Sequence, residues 1–458
     1  KFSCGDKLAP CKEQAVKLKK TLAYLGVFTV MAGDAVRNTV SWAGWGIICG
    51  VLAGFVIYWL IKNKPVATIK QMPWPLTGFL GLILLSTFWS NYQLVTLGVF
   101  FIQLVQTAFA VFLAAGFSWR ELLKIFANTI RVILGTSLVF ELYAALIVRG
   151  PVDAVFKLYE GPVPPSRDFY WSRGNLFNGG RIQGILGNSN ILAYVAMLGI
   201  ILFFVELTLR ESNRWLSLLS LVGSVGALFD AWSMTVNFAL GAVVVAAIVS
   251  IAAEGKDKET RHRYYRSAWW VIGGSALVVL AFRAQLFGLL GKSPDISGRT
   301  KIWKLVLGLI DERPLQGWGW TSYWIPFLKP YQGLVQMHGV TYLQAHNAFL
   351  DVWLQLGILG LGLFIGLIGY TFVPLWRLAV RHTSPLYLWP ILVFVGLIVQ
   401  NLTESRFLIE IGWVLLVLFA VKVHDPQETL EPRVDDLKRA RLLFGGLRRS
   451  RSLQRKDR

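Results

Sequence analysis

Cysteines and the common metal and redox motifs are scarce in this sequence. Only 3 of its 458 residues are cysteines. Cys4, Cys11 and Cys49 are too few for a disulfide framework and lack the CxxC spacing of a metal site. No HExxH or DxD motif occurs in the segments predicted to lie outside the membrane. The sequence therefore excludes a disulfide-stapled domain and gives no support for redox or metal chemistry.

Charged residues are also few, at 16% of the chain against about a quarter in an ordinary soluble domain. Hydrophobic residues reach 55% and the mean hydropathy is +0.53. These values predict an all-α polytopic membrane protein, because an isolated strand cannot satisfy its backbone groups in lipid. Apolar runs that can cross ~30 Å of hydrocarbon as helices predict roughly twelve transmembrane helices, at residues 18–34, 40–61, 75–90, 94–116, 122–148, 189–209, 214–231, 234–253, 268–287, 346–370, 386–402 and 406–424.

Acidic residues are outnumbered, with 46 Lys and Arg against 26 Asp and Glu and a formal net charge of +20. The basic residues of the short loops fall on alternate loops, which predicts that those loops are cytoplasmic. No basic groove interleaved with aromatic residues indicates a nucleic-acid partner. We expect residues 1–17 to be a cytoplasmic segment, residues 18–424 the transmembrane domain and residues 425–458 a basic cytoplasmic tail, with anionic-lipid contact as its second interpretation.

Two long loops, at about 150–188 and 288–345, are then predicted to be extracytoplasmic. The second is a large loop between helices nine and ten. Both carry more cations than the orientation rule favours on that side. This excess indicates an anionic ligand, while the alternative is a set of ordinary surface residues on a folded outer segment.

Arg299 lies at the start of a predicted amphipathic helix in the second loop. Residues 300–311 place their apolar side chains on one face, which is typical of an interfacial helix rather than a span. Ser297 is a plausible N-cap, and the first turn of a helix offers free amides that favour a phosphate. The alternative is that Arg299 only reaches toward lipid headgroups.

The first loop ends in GGRIQGILGNSN, which contains Arg181 and precedes an apolar run. Asn188 or Asn190 can cap the helix that follows, so a second amide-rich helix start is expected beside Arg181. Glycines there allow close approach of backbone to a ligand. The competing interpretation is that Arg181 is a surface residue.

His346 opens the tenth predicted span in the sequence AHNAFLDVWLQ. A lone histidine is often structural. His338 lies eight positions before His346 and in a loop, and two histidines so placed make a poor metal site. At a helix N-terminus, however, the dipole disfavours imidazolium, which suits a neutral general base.

Several of these segments together resemble the O-antigen ligase and polymerase superfamily. The similar segments are GRTKIWKLVLGLIDERPLQGWGW, AHNAFLDVWLQLGILG, GRIQGILGNSN, STFWS and NLTESRFLIEIGWVLLVLF, in the expected order over about residues 75–424. One departure is AWSMTVNFALG, which keeps Ser233 but lacks the arginine that often follows in the family.

The resemblance implies a membrane fold similar to the C-type glycosyltransferases. It also implies a glycosyltransferase that moves a glycan from an undecaprenyl (polyprenyl) pyrophosphate carrier to an acceptor hydroxyl. This chemistry is expected to be inverting and independent of metals and cofactors, at the outer face of the bacterial cytoplasmic membrane. By resemblance His346 is the catalytic base, and Arg181 and Arg299 bind the donor pyrophosphate. Supporting positions are expected at Asn188, Asn190, Arg313, Asn347 and Glu404.

The implied partners are a polyprenyl-pyrophosphate-linked glycan, a glycan or glycolipid acceptor and membrane lipids. Ligase and polymerase share this donor chemistry and differ in the acceptor, so both remain open. A transporter of a lipid-linked or anionic substrate is the alternative from another class. It would place binding groups near the bilayer midplane, where Glu141 and Glu206 have no obvious partners in the sequence.

Overall fold

The structure is a computed structural model of the chain. It describes residues 8–65, 72–156, 166–281, 298–337, 340–382 and 384–424. The predicted tail at 425–458, the first seven residues, Ser297 and His338 lie outside these ranges. So does the end of the ninth predicted span, after Ala281.

Helices account for most of the described residues. In chain order they are α1 (Leu8–Met31), α2 (Gly33–Asn63), α3 (Trp74–Leu85), α4 (Gln93–Gly116), α5 (Trp119–Leu142), α6 (Ser189–Leu209), α7 (Arg214–Ala231), α8 (Met234–Ala253), α9 (Lys258–Ala281), α10 (Arg299–Glu312), α11 (Ala348–Arg381), α12 (Leu388–Gln400) and α13 (Glu410–Lys422). A π-helical turn, Tyr143–Val148, extends α5. Two short antiparallel strands, β1 (Gln336–Met337) and β2 (Val340–Thr341), pair in the second loop.

Seven of the helices in the described ranges are long and apolar enough to span a membrane: α2, α4, α5 with its π-helical turn, α6, α7, α8 and α11. The prediction of an all-α polytopic membrane protein is confirmed at this level. The other predicted spans coincide with helices that are shorter or less apolar, such as the segments Trp74–Phe88 and Pro385–Gln400. The total of twelve therefore stays a prediction.

The boundary between the first two helices lies earlier in the chain than the hydropathy predicts. α1 ends at Met31 and α2 starts at Gly33, while the non-helical backbone of Ser41 bends α2 near the predicted start of the second span. Arg37 lies before this bend. Its guanidinium donates to Asp34 Oδ1 at 2.5 Å and to Glu410 Oε1 at 2.9 Å, which connects the start of α2 to the start of α13.

Large aromatic side chains fill the centre of the helical bundle. Phe79 of α3 packs its ring 5.6 Å from Trp320 and 5.9 Å from Trp413. Trp119 and Trp389 meet edge to face at 5.6 Å. All five side chains are almost fully buried, so α3, α5, α12 and α13 share one core with the second long loop, which contains Trp320.

That second loop is attached to a bend in α11. Gly357 has a φ of +67° there, and a Cβ at this position would lie 1.9 Å from Leu315 O. Trp318 N and Gly319 N donate to the carbonyls of Leu354 and Gln355 at 3.0 and 2.9 Å. The bend therefore exposes backbone acceptors that hold the loop following α10 against the membrane helices.

Candidate active site

A cavity of about 830 Å³ lies where the two long loops meet the helix ends. Its walls come from the end of the first loop, the α7–α8 junction, the start of α10, the segment after β2 and the end of α12. The lining residues are Arg173, Arg181, Gln183, Gly187, Asn188, Ser189, Asn190, Trp232, Met234, Thr235, Phe238, Arg299, Tyr323, Val340, Thr341, Tyr342, Leu343, Gln344, His346, Val399, Leu402 and Thr403.

The cavity wall is positively charged. Arg173, Arg181 and Arg299 all line it, and no aspartate or glutamate is among the described lining residues. The fold thus brings together Arg181 and Arg299, which are more than a hundred positions apart in sequence. Arginine forks bind phosphate oxygens through paired N–H groups, so this wall suits an anionic ligand.

Arg181 is held in place by the α7–α8 junction and by α6. Its Nε donates to Ala231 O at 3.1 Å and its Nη2 donates to Asn190 Oδ1 at 2.6 Å. Ser233 Oγ also donates to Asn190 Oδ1, at 2.9 Å. Ser233, which the chain shares with the family pattern, therefore helps to position Arg181 through their common acceptor, Asn190.

Asn188 caps the N-terminus of α6, as predicted for one of the two asparagines. Its Oδ1 accepts hydrogen bonds from Asn190 N at 2.8 Å and Ile191 N at 3.3 Å. The first turn of α6, including Ser189, faces the cavity. The positive end of the α6 dipole is therefore directed toward the same space as Arg181.

Glu141 positions the loop that leads to Arg181. Its Oε1 accepts from Gln183 N at 3.0 Å and Gly184 N at 2.7 Å, and its Oε2 accepts from Ser172 Oγ at 2.9 Å. The expectation that Glu141 and Glu206 lack partners is wrong, since Glu206 forms an ion pair with Arg131. Both in-span carboxylates are structural.

Arg299 begins α10 on the face that packs against the protein. Ile302, Val306 and Ile310 are on this face and are at most 1% exposed, whereas Leu305, predicted to share it, is 38% exposed. The N-cap residue is Gly298, and no side chain in the described ranges caps the helix. The predicted cap, Ser297, lies outside those ranges. Arg299 is itself buried, which contradicts the alternative that it only reaches toward lipid headgroups.

Glu404 joins Arg299 to His346. Arg299 Nη2 donates to Glu404 Oε1 at 2.9 Å, and His346 Nδ1 lies 2.9 Å from Glu404 Oε2. Burial opposes ionisation of Glu404, but the charges of His346, Arg406 and Arg299 and the bond from His346 lower its pKa from 4.5 to about 2. An ionised carboxylate only accepts hydrogen bonds, so His346 Nδ1 is the donor.

His346 therefore presents its second nitrogen to the cavity. Nε2 makes no hydrogen bond with any residue in the described ranges, and the imidazole lines the cavity wall. Its backbone has a φ of +51°, and the Tyr342 ring meets the imidazole edge to face at 5.5 Å. With Nδ1–H fixed on Glu404, a neutral imidazole has its lone pair on Nε2, which is the tautomer that a general base requires.

The turn around His346 is fixed by polar contacts on both sides. Asn347 caps α11 through bonds from Phe349 N and Leu350 N at 3.0 and 3.1 Å. The buried Asp351 accepts from Ala345 N at 3.0 Å and from Ser405 Oγ. The strained backbone of His346 is thus supported by the same segment that supplies Glu404.

Arg313 is the predicted supporting residue that the structure places apart from the others. Its guanidinium stacks on the Trp318 ring at 4.1 Å, beyond the C-terminus of α10, and it is not among the residues that line the cavity. Sequence reasoning missed Arg173 and Tyr323, which do line it. Burial raises the pKa of Tyr323, so its hydroxyl stays neutral.

The described residues contain no group of three His, Cys, Asp or Glu side chains that could hold a metal ion. The metal-independent reaction stays a prediction, because these residues are only part of the chain.

Comparison with known proteins adds an independent observation. Residues 184–365 match the model of a family described as O-antigen ligase. The resemblance to the O-antigen ligase and polymerase superfamily is confirmed. Within this superfamily match lie Asn188, Arg299 and His346, whereas Arg181 and Glu404 fall outside it.

A relative of the chain is the exopolysaccharide production protein ExoQ of Rhizobium meliloti (strain 1021), which is 25% identical over 190 residues. The similarity covers 39% of the chain and spans 43% of the length of that relative. It agrees with the family match in supporting the resemblance to the O-antigen ligase and polymerase superfamily.

Proposed function

We propose that the protein transfers a glycan from a polyprenyl pyrophosphate carrier to an acceptor hydroxyl, with inversion at the anomeric carbon. The supporting observation is a single cavity that combines an arginine-rich wall with a histidine oriented by Glu404. Leaving-group stabilisation and proton removal are the two tasks that such a transfer requires.

In this proposal Arg181 and Arg299 bind the pyrophosphate, together with the positive end of the α6 dipole. The acceptor hydroxyl attacks the anomeric carbon while His346 Nε2 takes its proton. A new bond forms between the anomeric carbon and the acceptor oxygen, and the bond from that carbon to the pyrophosphate oxygen breaks. Glu404 then stabilises the imidazolium that results. Arg181 and Arg299 stabilise the charge of the leaving pyrophosphate, so no general acid is needed for it.

The proposed location is the bacterial cytoplasmic membrane, with the cavity on its extracytoplasmic face. Residues 288–345 would form the catalytic loop, residues 18–424 the transferase domain with roughly twelve helices, and residues 1–17 and 425–458 cytoplasmic segments. A C-type glycosyltransferase-like fold is part of the same proposal.

Ligation of a completed chain is one form of this reaction, and polymerisation of lipid-linked repeat units is the second. The polymerase form is favoured by one observation, that ExoQ is described by its part in exopolysaccharide production. The glycans of a deletion strain distinguish the two forms. Complete chains stranded on the carrier indicate a ligase, and single repeat units without a chain-length ladder indicate a polymerase.

Transfer itself is tested with purified protein in nanodiscs, a polyprenyl-pyrophosphate-linked oligosaccharide and a chelator. We expect release of polyprenyl pyrophosphate that requires an acceptor glycan or glycolipid. Unchanged donor after incubation with both ligase-type and polymerase-type acceptors would reject the proposal.

A further inference from the structure

A second groove, of about 690 Å³, lies between α9 and α11. It is at the end of α11 opposite to His346, so it is separate from the candidate active site. Its lining consists of Lys258, Glu259, Arg261, His262, Tyr265, Phe372, Val373, Trp376, Arg377, Val380 and Arg381.

The groove has a charged end and an apolar interior. α9 starts at Lys258 and α11 ends at Arg381, so cations from both helices lie at one end. One or two helical turns further along, Trp376 contacts Tyr265 edge to face at 5.7 Å and stacks with Phe372 at 5.8 Å. Such a gradient matches an amphiphile with a charged headgroup.

At the charged end, four cations have no ion-pair partner among the residues that the structure describes. Lys258, Arg261, Arg377 and Arg381 make no side-chain hydrogen bond or ion pair with any residue in the described ranges, although Glu259 also lines the groove. Arg377 and Arg381 are one helical turn apart and both exposed. By the distribution of basic loops this end is cytoplasmic.

We propose that this groove binds an anionic phospholipid of the cytoplasmic leaflet. Its phosphate would be held by Arg377, Arg381 and Arg261, and an acyl chain would cover the rings of Trp376 and Phe372. Basic pockets between membrane helices on the cytoplasmic side bind anionic headgroups, and the apolar interior excludes a free phosphate as the preferred ligand. The site does not depend on the proposed glycosyl transfer.

Lipid binding is measured by native mass spectrometry of the full chain, with phosphatidylglycerol and phosphatidylcholine of identical acyl chains as probes. The native protein should retain phosphatidylglycerol preferentially. Arg377→Gln combined with Arg381→Gln should reduce that preference by about fivefold for each arginine removed, which is the contribution of one cation near an anionic surface. Both residues are exposed, so the variant should fold normally.

Arg210→Gln combined with Arg214→Gln is the matched control, since it removes two exposed cations from another predicted cytoplasmic loop. This control should keep the native preference, and Trp376→Leu should weaken retention of both lipids without changing their ratio. Added inorganic phosphate should not displace phosphatidylglycerol. Equal retention of the two lipids by the native protein, an equal loss in the control, or displacement by phosphate would each overturn the proposal.

Discussion

The two nitrogens of His346 have different environments, and this difference defines a test. Nδ1 is bonded to Glu404, while Nε2 is open to the cavity. We expect His346→Ala to leave donor affinity nearly unchanged and to reduce turnover by about 10² to 10⁴, the usual contribution of a general base. Donor affinity and single-turnover rates in nanodiscs measure the two effects separately.

The matched control is His382→Ala, which removes a histidine at the other end of α11. It should retain native turnover. A loss that appeared entirely as weaker donor binding in the His346 variant would instead make this residue a phosphate ligand.

Arg181 and Arg299 should each be needed for donor binding, because both line the same wall. We expect Arg181→Ala and Arg299→Ala to abolish most transfer. Lysine should restore little in either case, since it replaces a planar fork with a single point charge. Arg313→Ala, which removes an arginine outside the cavity, is the control. Native transfer by either lysine variant would contradict bidentate recognition.

Glu404 links activity to stability, because it is the shared partner of Arg299 and His346. Glu404→Gln leaves the buried Arg299 without a countercharge, and breaking a buried pair in this way costs about 3–5 kcal/mol. We expect the variant to have a Tm lower by several degrees and a reduced turnover. Asn190→Asp, which changes a cavity amide without touching this pair, should not reproduce the fall in Tm.

The lowered pKa of Glu404 predicts the pH range in which this residue stabilises the fold. The Glu404 pKa is about 2 in the folded protein and 4.5 ordinarily, so the unfolded chain binds more protons between these values. The stabilisation is therefore fully present above about pH 4.5 and is lost as the pH falls toward 2. Thermal unfolding measured from pH 6 downward should show a Tm difference between native protein and Glu404→Gln that is constant to about pH 4.5 and shrinks below it. A difference that already narrows between pH 6 and 5 would contradict this assignment.

Residue types at short spacing could be interpreted from the sequence, but long-range partners could not. Asn188 as a helix cap follows from its position before an apolar run, and the structure confirms it. The bonds of Glu404 to His346 and Arg299 cross 58 and 105 positions. No local pattern encodes such distances, so Glu404 could be placed near the site only through the family resemblance.

At the scale of elements, the bend in α11 determines where the second loop is attached. Gly357→Ala would place a methyl group against Leu315 O at a φ that disfavours side chains. We expect a marked fall in Tm and reduced activity, because the loop also positions Arg299. Gly362→Ala in the same helix is the control. Its Cβ would meet nothing within 4 Å, so it should be neutral or slightly stabilising. Equal effects of the two variants would show that the attachment is unimportant.

Hydropathy located most helices within a few residues but missed how they are interrupted. α6, α7 and α8 match their predicted runs because apolar length sets their bounds directly. The bends at Ser41 and Gly357 and the π-helical turn after α5 depend on tertiary contacts, which a hydropathy window does not contain. The end of α11 at Arg381 was likewise not predicted, because Pro374 and Arg377 interrupt the apolar run beyond residue 370.

At the scale of the whole molecule, the distribution of buried charge favours an enzyme over a transporter. A transporter binds its substrate near the membrane midplane with polar groups on broken helices. Here Glu206 is paired with Arg131 and Glu141 binds loop amides, so neither is available to a substrate. The arginines that line a cavity lie instead at helix ends and in loops.

The orientation of the whole chain is the assumption that every proposed site shares, and cysteine labelling tests it. In a variant without Cys4, Cys11 and Cys49, single cysteines at Arg167 and Phe327 should react with a membrane-impermeant maleimide added to intact cells. Both positions are exposed and belong to the arginine-rich loops, which must face outward to meet a donor on that side. A cysteine at His262, exposed beside the lipid groove, should react only after the cells are opened. Because short-loop basic residues fix the orientation of the chain, cysteines at Arg167 and Phe327 should react in intact cells and a cysteine at His262 should not. Labelling of His262→Cys from outside would show that the predicted orientation is reversed. The glycosyl-transfer site would then lie on the cytoplasmic face and the lipid groove in the outer leaflet.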